Sequence, residues 1–269
     1  MDSPAESDDS LSRVSVVTSS GRRAVLLTSD RVPVEAEHIP APAGSGRLAI
    51  VVAHGFTGAL ERPALRRAAG RLAAYGGVVA FSFRGHGGSG GRSTVGDREV
   101  LDLDAAVRWA RQLGYPDVAT VGFSMGGSVV LRHAALFGVD AVVSVSSPAR
   151  WYYRGTPPMR RLHWVVTRPV GRLVSRYGLH TRVHTRDWDP VPLSPVQAVP
   201  LIPPAPLLIV HGDRDAYFPL DHPRSLAEAA GPGGAELWIE AGFGHAENAA
   251  APELLDRIGT WLTARFPAS

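Results

Sequence analysis

The sequence predicts an α/β fold with a mostly parallel central sheet and helices on both of its faces. From residue 48 onward, short apolar runs typical of buried strands alternate with longer segments of helical periodicity. This alternation is typical of parallel strands joined by helical crossovers. Before residue 40, β-branched segments separated by turn residues indicate antiparallel strands instead. A chain of 269 residues is long enough for one large domain with a substantial core.

The elements follow from these patterns in chain order. The acidic, polar residues 1–12 predict a disordered tail, and residues 13–269 the folded domain. Two or three antiparallel strands are expected within 13–19 and 24–38. Continuous apolar runs predict later strands at 48–53, 78–83, 118–123, 141–145, 206–210 and 236–239. Helical periodicity predicts helices at 62–75, 98–113, 125–137, 223–230 and 252–266.

The alternation breaks between residues 147 and 204, in a stretch rich in Arg, Pro, Trp and Tyr. We interpret residues 148–204, called here the insertion, as a cap over the carboxyl edge of the sheet. Its aromatic residues Trp151, Tyr152 and Trp164 are predicted to line an apolar substrate pocket.

Composition excludes several classes of protein. The absence of cysteine excludes disulfides, thiolate catalysis and Cys-based zinc sites. All 28 basic residues are arginine, yet the net charge is only +3, so no nucleic-acid partner is expected. No apolar run has the length of a membrane span and residues 1–10 do not resemble a secretory signal, which predicts a cytoplasmic protein.

The most informative motif is Gly122-Phe-Ser-Met-Gly126, which matches G-x-S-x-G between a predicted strand and a predicted helix. A serine at such a sharp turn has a strained backbone and an exposed hydroxyl. The first turn of the following helix directs N–H groups towards that hydroxyl, where negative charge would develop. These features predict Ser124 as a nucleophile.

A nucleophilic serine requires a base and an orienting acid. Asp215 and His245 each follow the end of a predicted strand, and parallel strands place their carboxyl ends at one edge of the sheet. We therefore predict His245 as the base and Asp215 as the acid. Asp213 lies two residues away and is the alternative acid. Asp140 begins its strand and is expected at the opposite edge.

The loop after the first parallel strand reads His54-Gly-Phe-Thr-Gly58. We expect the backbone N–H of Phe56 to pair with that of Met125 as an oxyanion hole. His54 is expected to hold the shape of the loop.

Five motifs in register resemble the α/β-hydrolase family: His54-Gly-Phe, Arg84-Gly-His-Gly-Gly-Ser, Gly122-Phe-Ser-Met-Gly, Gly212-Asp-Arg-Asp and Gly244-His. The sequence is most similar to the smaller serine esterase, monoacylglycerol-lipase-like and serine-aminopeptidase-like members. The resemblance covers residues 13–269 apart from the insertion. It implies a Ser124–Asp215–His245 triad, an oxyanion hole from Phe56 and Met125, and no cofactor.

The predicted function is hydrolysis of carboxylic esters or thioesters of a small acyl substrate through an acyl-enzyme on Ser124. Alternatives with the same triad are cleavage of amides, peptides or C–C bonds. Cofactor-free haloperoxidase or perhydrolase chemistry is another alternative. A non-catalytic binding protein on a hydrolase fold is the alternative from a different class.

Two further patterns invite other interpretations. Residues 85–90 match G-x-G-x-x-G, but a glycine-rich stretch intervenes before the next helix, with Asp97 as its expected N-cap, so we interpret them as a tight loop. His180 and His184 have the spacing of a helical zinc site, but the residues between them do not favour a helix, and no metal is expected.

Within the insertion, arginines alternate with apolar residues, interrupted at Pro169. The arginines are Arg160, Arg161, Arg168, Arg172 and Arg176, and the apolar residues are Leu162, Val166, Val170, Leu173 and Tyr177. One interpretation is weak contact with anionic lipid headgroups or with an acidic substrate. The other, which we favour from sequence, is that arginine stems cover the apolar residues while the charges stay in water.

Overall fold

The structure is a computed structural model, and it describes residues 14–18, 21–41 and 46–266. The predicted acidic tail of residues 1–12 lies outside the described residues. For residues 14–18 the backbone alone is described.

A single sheet organises the described part of the chain. Its strands are β1 Val14–Thr18, β2 Gly21–Leu27, β3 Pro33–Ile39, β4 Leu48–Ala53, β5 Gly77–Phe81, β6 Asp117–Phe123, β7 Ala141–Val145, β8 Leu207–Gly212 and β9 Glu236–Glu240. They lie in the order β1-β2-β3-β5-β4-β6-β7-β8-β9. The pairs β1–β2, β2–β3 and β3–β5 are antiparallel, and every later pair is parallel. The predicted fold class, including its antiparallel start, is confirmed.

Helices cover both faces of this sheet. They are α1 Pro63–Leu72, α2 Glu99–Gln112, α3 Met125–Phe137, α4 Pro157–Thr167, α5 Pro169–Gly178, α6 Pro195–Ala198, α7 Asp221–Ala229, α8 Ala246–Ala249 and α9 Pro252–Thr263, with a 3-10 turn at Val199–Leu201. The long predicted helices are present, and their ends differ from the predictions by a few residues. The expected N-cap at Asp97 is wrong: the residue that precedes α2 is Arg98, and among the described residues no side chain caps the first turn of this helix.

The alternation of side chains along the strands divides the core into two layers. Val51 of β4 packs with residues from α2, α3 and α7, whereas Ile50 and Val52 pack with residues from α1 and α9. Because both faces are covered, β4 to β8 are buried along nearly their whole length. This burial explains why they appear in the sequence as continuous apolar runs.

The insertion has two parts. Helices α4 and α5 contact each other and come first. The later part returns to the body of the protein, where Ala198 is buried and Val199 and Ile202 belong to the core. Between these parts, Thr181 and Val183 form isolated bridges with His86 and Ser93. These bridges join the insertion to the loops after β5.

Within the described ranges, no helix is both long and apolar enough to cross a membrane.

Candidate active site

Ser124 lies at a sharp turn between β6 and α3, with φ +52° and ψ −113°. A positive φ of this kind is strained for a residue with a side chain. Two glycines permit the turn. A Cβ at Gly122 would collide with the carbonyl oxygen of Gly126, and a Cβ at Gly126 would lie 2.6 Å from the carbonyl oxygen of His54. The N–H of Ser124 donates to the carbonyl of Val145 at 2.8 Å, which fixes the turn to the neighbouring strand.

Ser124, His245 and Asp215 form a continuous chain of hydrogen bonds. The Nε2 atom of His245 lies 2.9 Å from Oγ of Ser124, and its Nδ1 lies 2.7 Å from Oδ2 of Asp215. An ionised carboxylate can only accept, so Nδ1 carries the proton and Nε2 is free to accept from the serine hydroxyl. The structure therefore brings together the three residues predicted as nucleophile, base and acid, in an arrangement suited to proton transfer from Ser124 to His245.

The carboxylate of Asp215 is held on its other side by the backbone. Its Oδ1 accepts hydrogen bonds from the N–H groups of Tyr217 at 2.8 Å and Phe218 at 3.2 Å. Burial opposes ionisation of this carboxyl, but the hydrogen bond and charge of His245 and the backbone N–H outweigh it, so the pKa of Asp215 lies below its usual value. Asp215 is thus an anion that keeps His245 in one tautomer.

The two competing aspartates lie elsewhere. Asp213 accepts a hydrogen bond from the N–H of Gly242 at 2.7 Å and stabilises the turn after β9. Asp140 accepts from the N–H of Val118 at the amino end of β6, the opposite edge of the sheet. The geometry assigns the contact with His245 to Asp215.

The loop after β4 is shaped by a buried histidine. The Nε2 atom of His54 accepts from the N–H of Phe83 at 3.0 Å, so its protonated Nδ1 donates to the carbonyl of Gly55 at 2.7 Å. Burial lowers the pKa of His54 to about 3, which keeps the ring neutral. The expected shape-holding contacts of His54 are present.

A buried glutamate holds the same loop from the other side. The N–H of Gly55 donates to Oε1 of Glu247 at 2.9 Å, and a Cβ added to Gly55 would lie 3.3 Å from Cβ of Ser124. Burial raises the pKa of the Glu247 carboxyl. Glu247 therefore positions the backbone that leads into Phe56.

Phe56 and Met125 both line the pocket that opens at Ser124. Met125 is the first residue of α3, where a helix leaves its N–H groups without intrahelical acceptors. Both residues therefore border the pocket that contains Ser124, and the oxyanion hole formed by their backbone N–H groups stays a prediction.

The pocket has a volume of about 490 Å³ and a mostly apolar wall. Its lining includes Trp151 and Tyr152, as predicted, together with Trp188, whose ring lies 5.2 Å from that of Trp151. Trp164, predicted to line the same pocket, is not among the described lining residues and is 48% exposed. Helix α4 turns Leu162 and Val166 to the pocket instead.

One wall of the pocket is formed by the loop before α2, which two buried side chains, Glu99 and Arg132, hold in place. Glu99 accepts hydrogen bonds from the N–H groups of Thr94, Val95 and Gly96 at 2.8 to 3.1 Å. Arg132, which is also buried, donates to the carbonyls of Gly96 and Asp97. Two opposite charges thus fix the donors and the acceptors of one loop, even though Val95 has a strained φ of +56°.

The glycine-rich loop of residues 85–90, which resembles a nucleotide-binding motif, binds the side-chain carboxylate of Glu35. The N–H of Gly88 donates to Oε1 of Glu35 at 2.9 Å, and Cβ atoms at Gly87 or Gly88 would collide with that carboxylate. The preceding Arg84 is buried and pairs with Asp30 and Asp102. These contacts agree with the prediction of a tight structural loop.

His180 and His184 do not form a helix. Both follow α5 in an irregular segment, and Nδ1 of His184 accepts from the N–H of Arg186. Among the described residues, no cluster of three or more His, Asp or Glu side chains could hold a metal ion.

Sequence reasoning missed Glu247, Glu99 and Arg132. Arg132 was detectable as a lone charge inside the apolar helix α3. Glu99 is the first residue of α2 and Glu247 lies in the first turn of the short helix α8; acidic residues are ordinary at both positions, so neither gave a signal.

Comparison with known proteins agrees with this geometry. Residues 50–256 match the model of the Alpha/beta hydrolase family. The chain is 26% identical to a monoacylglycerol lipase of Mycolicibacterium smegmatis, over 81% of this chain and 88% of that protein. It is 31% identical to Esterase LipC of Mycobacterium tuberculosis, over 49% of this chain and 36% of that protein. The structure of the Pyrococcus furiosus esterase Pf2001 superposes with a TM-score of 0.70 at 24% identity, covering 91% of this chain and 92% of that one.

The family model covers well over half of the chain and includes Ser124, Asp215 and His245. The strand order, the serine turn and the matched residues lead to one conclusion: this protein belongs to the alpha/beta hydrolase family.

Proposed function

We propose that the protein is a serine hydrolase that cleaves carboxylic esters or thioesters through an acyl-enzyme on Ser124. The observation that carries the proposal is the hydrogen-bond chain from Ser124 through His245 to the buried Asp215, with Ser124 lining an apolar pocket. Family membership supports hydrolysis, and the names of the relatives, a monoacylglycerol lipase and esterases, favour esters.

In the first half of the reaction, Oγ of Ser124 attacks the acyl carbonyl carbon while Nε2 of His245 takes the hydroxyl proton. The imidazolium formed is stabilised by Asp215. Negative charge moves to the carbonyl oxygen, and the backbone N–H groups of Phe56 and Met125 stabilise it. The tetrahedral intermediate collapses, His245 gives its proton to the leaving alkoxide or thiolate, and the acyl group remains on Ser124.

In the second half, water enters in place of the leaving group. His245 takes a proton from this water, and the hydroxide attacks the acyl carbon. The second intermediate releases the carboxylic acid as His245 returns the proton to Oγ of Ser124. The balance is one ester or thioester and one water converted to one acid and one alcohol or thiol.

The apolar wall of the pocket suits the acyl chain of a small-molecule substrate. In this proposal, the insertion (residues 148–204) acts as the cap of a single hydrolase domain, and its residues Trp151 and Tyr152 contact the acyl group.

The test is a panel of matched substrates that share one acyl group: an oxygen ester, a thioester and an anilide. We expect hydrolysis of the first two to exceed that of the anilide, with loss of activity in Ser124→Ala but not in Ser225→Ala, a serine on α7 away from the pocket. Ester hydrolysis that persists in Ser124→Ala would contradict the proposal. A preference for the anilide would show that the protein is an amide hydrolase instead.

A further inference from the structure

Helix α5 presents its small residues to the protein and its large apolar residues to solvent. Val170, Leu173, Val174 and Tyr177 are 47% to 69% exposed. Their spacing of i, i+3, i+4 and i+7 places them on one face of the helix. The residues that α5 buries are instead Gly171 and Ser175.

The buried face of α5 explains this orientation. A Cβ at Gly171 would lie 2.5 Å from the carbonyl oxygen of Trp164 and 2.7 Å from Cα of Val165, so α5 approaches the backbone of α4 closely. Ser175 donates to the carbonyl of Thr181 at 2.9 Å, which fixes the rotation of the helix. A rotation that buried the apolar stripe would break both contacts.

Positive charge is concentrated around the same helix. Nine arginines and no acidic residue lie between residues 141 and 186, whereas the other 19 arginines share the rest of the chain with all 25 acidic residues. Within the described part of the chain, the eight arginines from Arg154 to Arg186 form no ion pair with Asp or Glu; Arg150 pairs with Asp221.

Arginine stems leave most of the apolar stripe uncovered, contrary to the interpretation that we favoured from sequence. The guanidinium of Arg176 lies 5.4 Å from the centre of the Tyr177 ring, but that side chain is still 69% exposed. Arg172 folds back along its own helix pair and donates to the carbonyls of Val166 and Thr167. Arg160 likewise donates to the carbonyls of Arg154 and Gly155. The apolar side chains therefore remain in water, bordered by arginines.

We propose that the α5 face, defined as Val170, Leu173, Val174 and Tyr177 with the bordering arginines Arg161, Arg168 and Arg176, docks the protein on an anionic lipid surface. An apolar stripe inserts at the boundary of the headgroups while unpaired arginines contact anionic lipid phosphates. A second copy of this chain is a poor occupant, because a symmetric contact would bring two strongly basic faces together. A purely anionic polymer would leave the stripe uncovered.

The α5 face is next to the proposed site of catalysis. Helix α4, on which α5 packs, lines the active-site pocket with Leu162 and Val166. Docking through α5 would therefore place the pocket-lining helix close to the lipid surface, where apolar acyl compounds are concentrated. This consequence rests on the proposed function, but the docking itself does not.

The test measures binding to vesicles of phosphatidylcholine with and without 30% phosphatidylglycerol by co-sedimentation, using the full chain. Ser124→Ala protein is included, and we expect it to bind as the wild type does, so that binding is assessed independently of hydrolysis. We expect at least a ~10-fold preference for the anionic vesicles at low salt, weakened as salt screens the arginines.

Two matched pairs of variants separate the contribution of the arginine charges from that of the apolar side chains. The triple change Arg161→Gln, Arg168→Gln and Arg176→Gln should weaken binding by roughly 100-fold, whereas the same change at the exposed Arg66, Arg108 and Arg224 should weaken it far less. The double change Leu173→Ser and Tyr177→Ser should weaken binding by about 10-fold or more. The change of Leu136 and Phe137 to serine should not, although these apolar residues on α3 are also half-exposed.

Several outcomes would overturn the proposal. These are equal binding to neutral and anionic vesicles, equal effects of the α5 and control variants, or weaker binding in the arginine variant with unchanged binding in the Leu173 and Tyr177 variant, which would indicate a polyanion site. Concentration-dependent dimerisation that is abolished by the Leu173 and Tyr177 changes would identify a second copy as the occupant instead.

Discussion

The Oδ2 atom of Asp215 lies 2.7 Å from Nδ1 of His245, while Asp213, two residues earlier, contacts the turn at Gly242. One short loop therefore contains two aspartates with different tasks. This arrangement provides an internally controlled test of the acid.

We expect Asp215→Asn to lower kcat by roughly 10⁴-fold, because the amide would favour the wrong tautomer of His245 and would not stabilise its cation. Asp213→Asn is the matched control and should retain kcat within a few-fold. Steady-state hydrolysis of an activated ester measures both. Equal losses in the two variants would contradict the assignment of Asp215.

The tight turn at Ser124 predicts that a methyl group added at Gly122 lowers both stability and activity. Gly122→Ala places a methyl group against the carbonyl of Gly126, and we expect a loss of about 1–3 kcal/mol in the free energy of unfolding together with a large loss of activity. Gly70→Ala in α1 is the control, because a Cβ there meets nothing within 4 Å and should be neutral or stabilising. Urea unfolding of both variants tests the prediction, which fails if Gly122→Ala is as stable and as active as Gly70→Ala.

Glu247 offers a prediction about the loop that carries Phe56. In Glu247→Ala, the N–H of Gly55 loses its buried acceptor, and we expect kcat to fall by about 10²-fold with little change in KM, since a small displacement of the oxyanion donors weakens transition-state stabilisation. Glu247→Gln retains an oxygen acceptor and should recover most of kcat. Equal damage from both variants would show that Glu247 acts through its charge instead.

His54 predicts a pH dependence of stability. The unfolded chain protonates this histidine near pH 6.5, whereas burial keeps the folded pKa at about 3. Below pH 6.5 the unfolded state therefore binds one more proton, and stability falls as the pH falls towards 3. The contribution amounts to about 2 kcal/mol between pH 7.5 and 5.

Urea unfolding at pH 7.5 and 5 measures this loss. His54→Gln should reduce the pH-dependent difference by about that amount, whereas His180→Gln, at an exposed position, should leave it unchanged. An unaltered difference in His54→Gln would show that other groups are responsible.

The sheet and the positions of the proposed triad were predictable from sequence because local patterns report them. Val51 and Val143 lie in strands buried on both faces, so their neighbours form continuous apolar runs. Ser124, Asp215 and His245 each follow such a run, and parallel strands bring their ends to one edge.

The rest depends on contacts between distant residues. Glu247 and Gly55 are 192 positions apart, and no pattern in either segment indicates their hydrogen bond. The direction of the apolar stripe on α5 was also unpredictable, because periodicity shows that Val170 and Leu173 share a face but not which way it points. The contact of Gly171 with α4 decides that direction.

The central claim is that Ser124 is an activated nucleophile. Its most direct test is the intact mass of the protein after incubation with a fluorophosphonate, on wild type, Ser124→Ala and Ser225→Ala. We predict one adduct per chain on wild type and Ser225→Ala and none on Ser124→Ala. A folded wild-type sample that acquires no adduct, or an adduct that persists in Ser124→Ala, would contradict it.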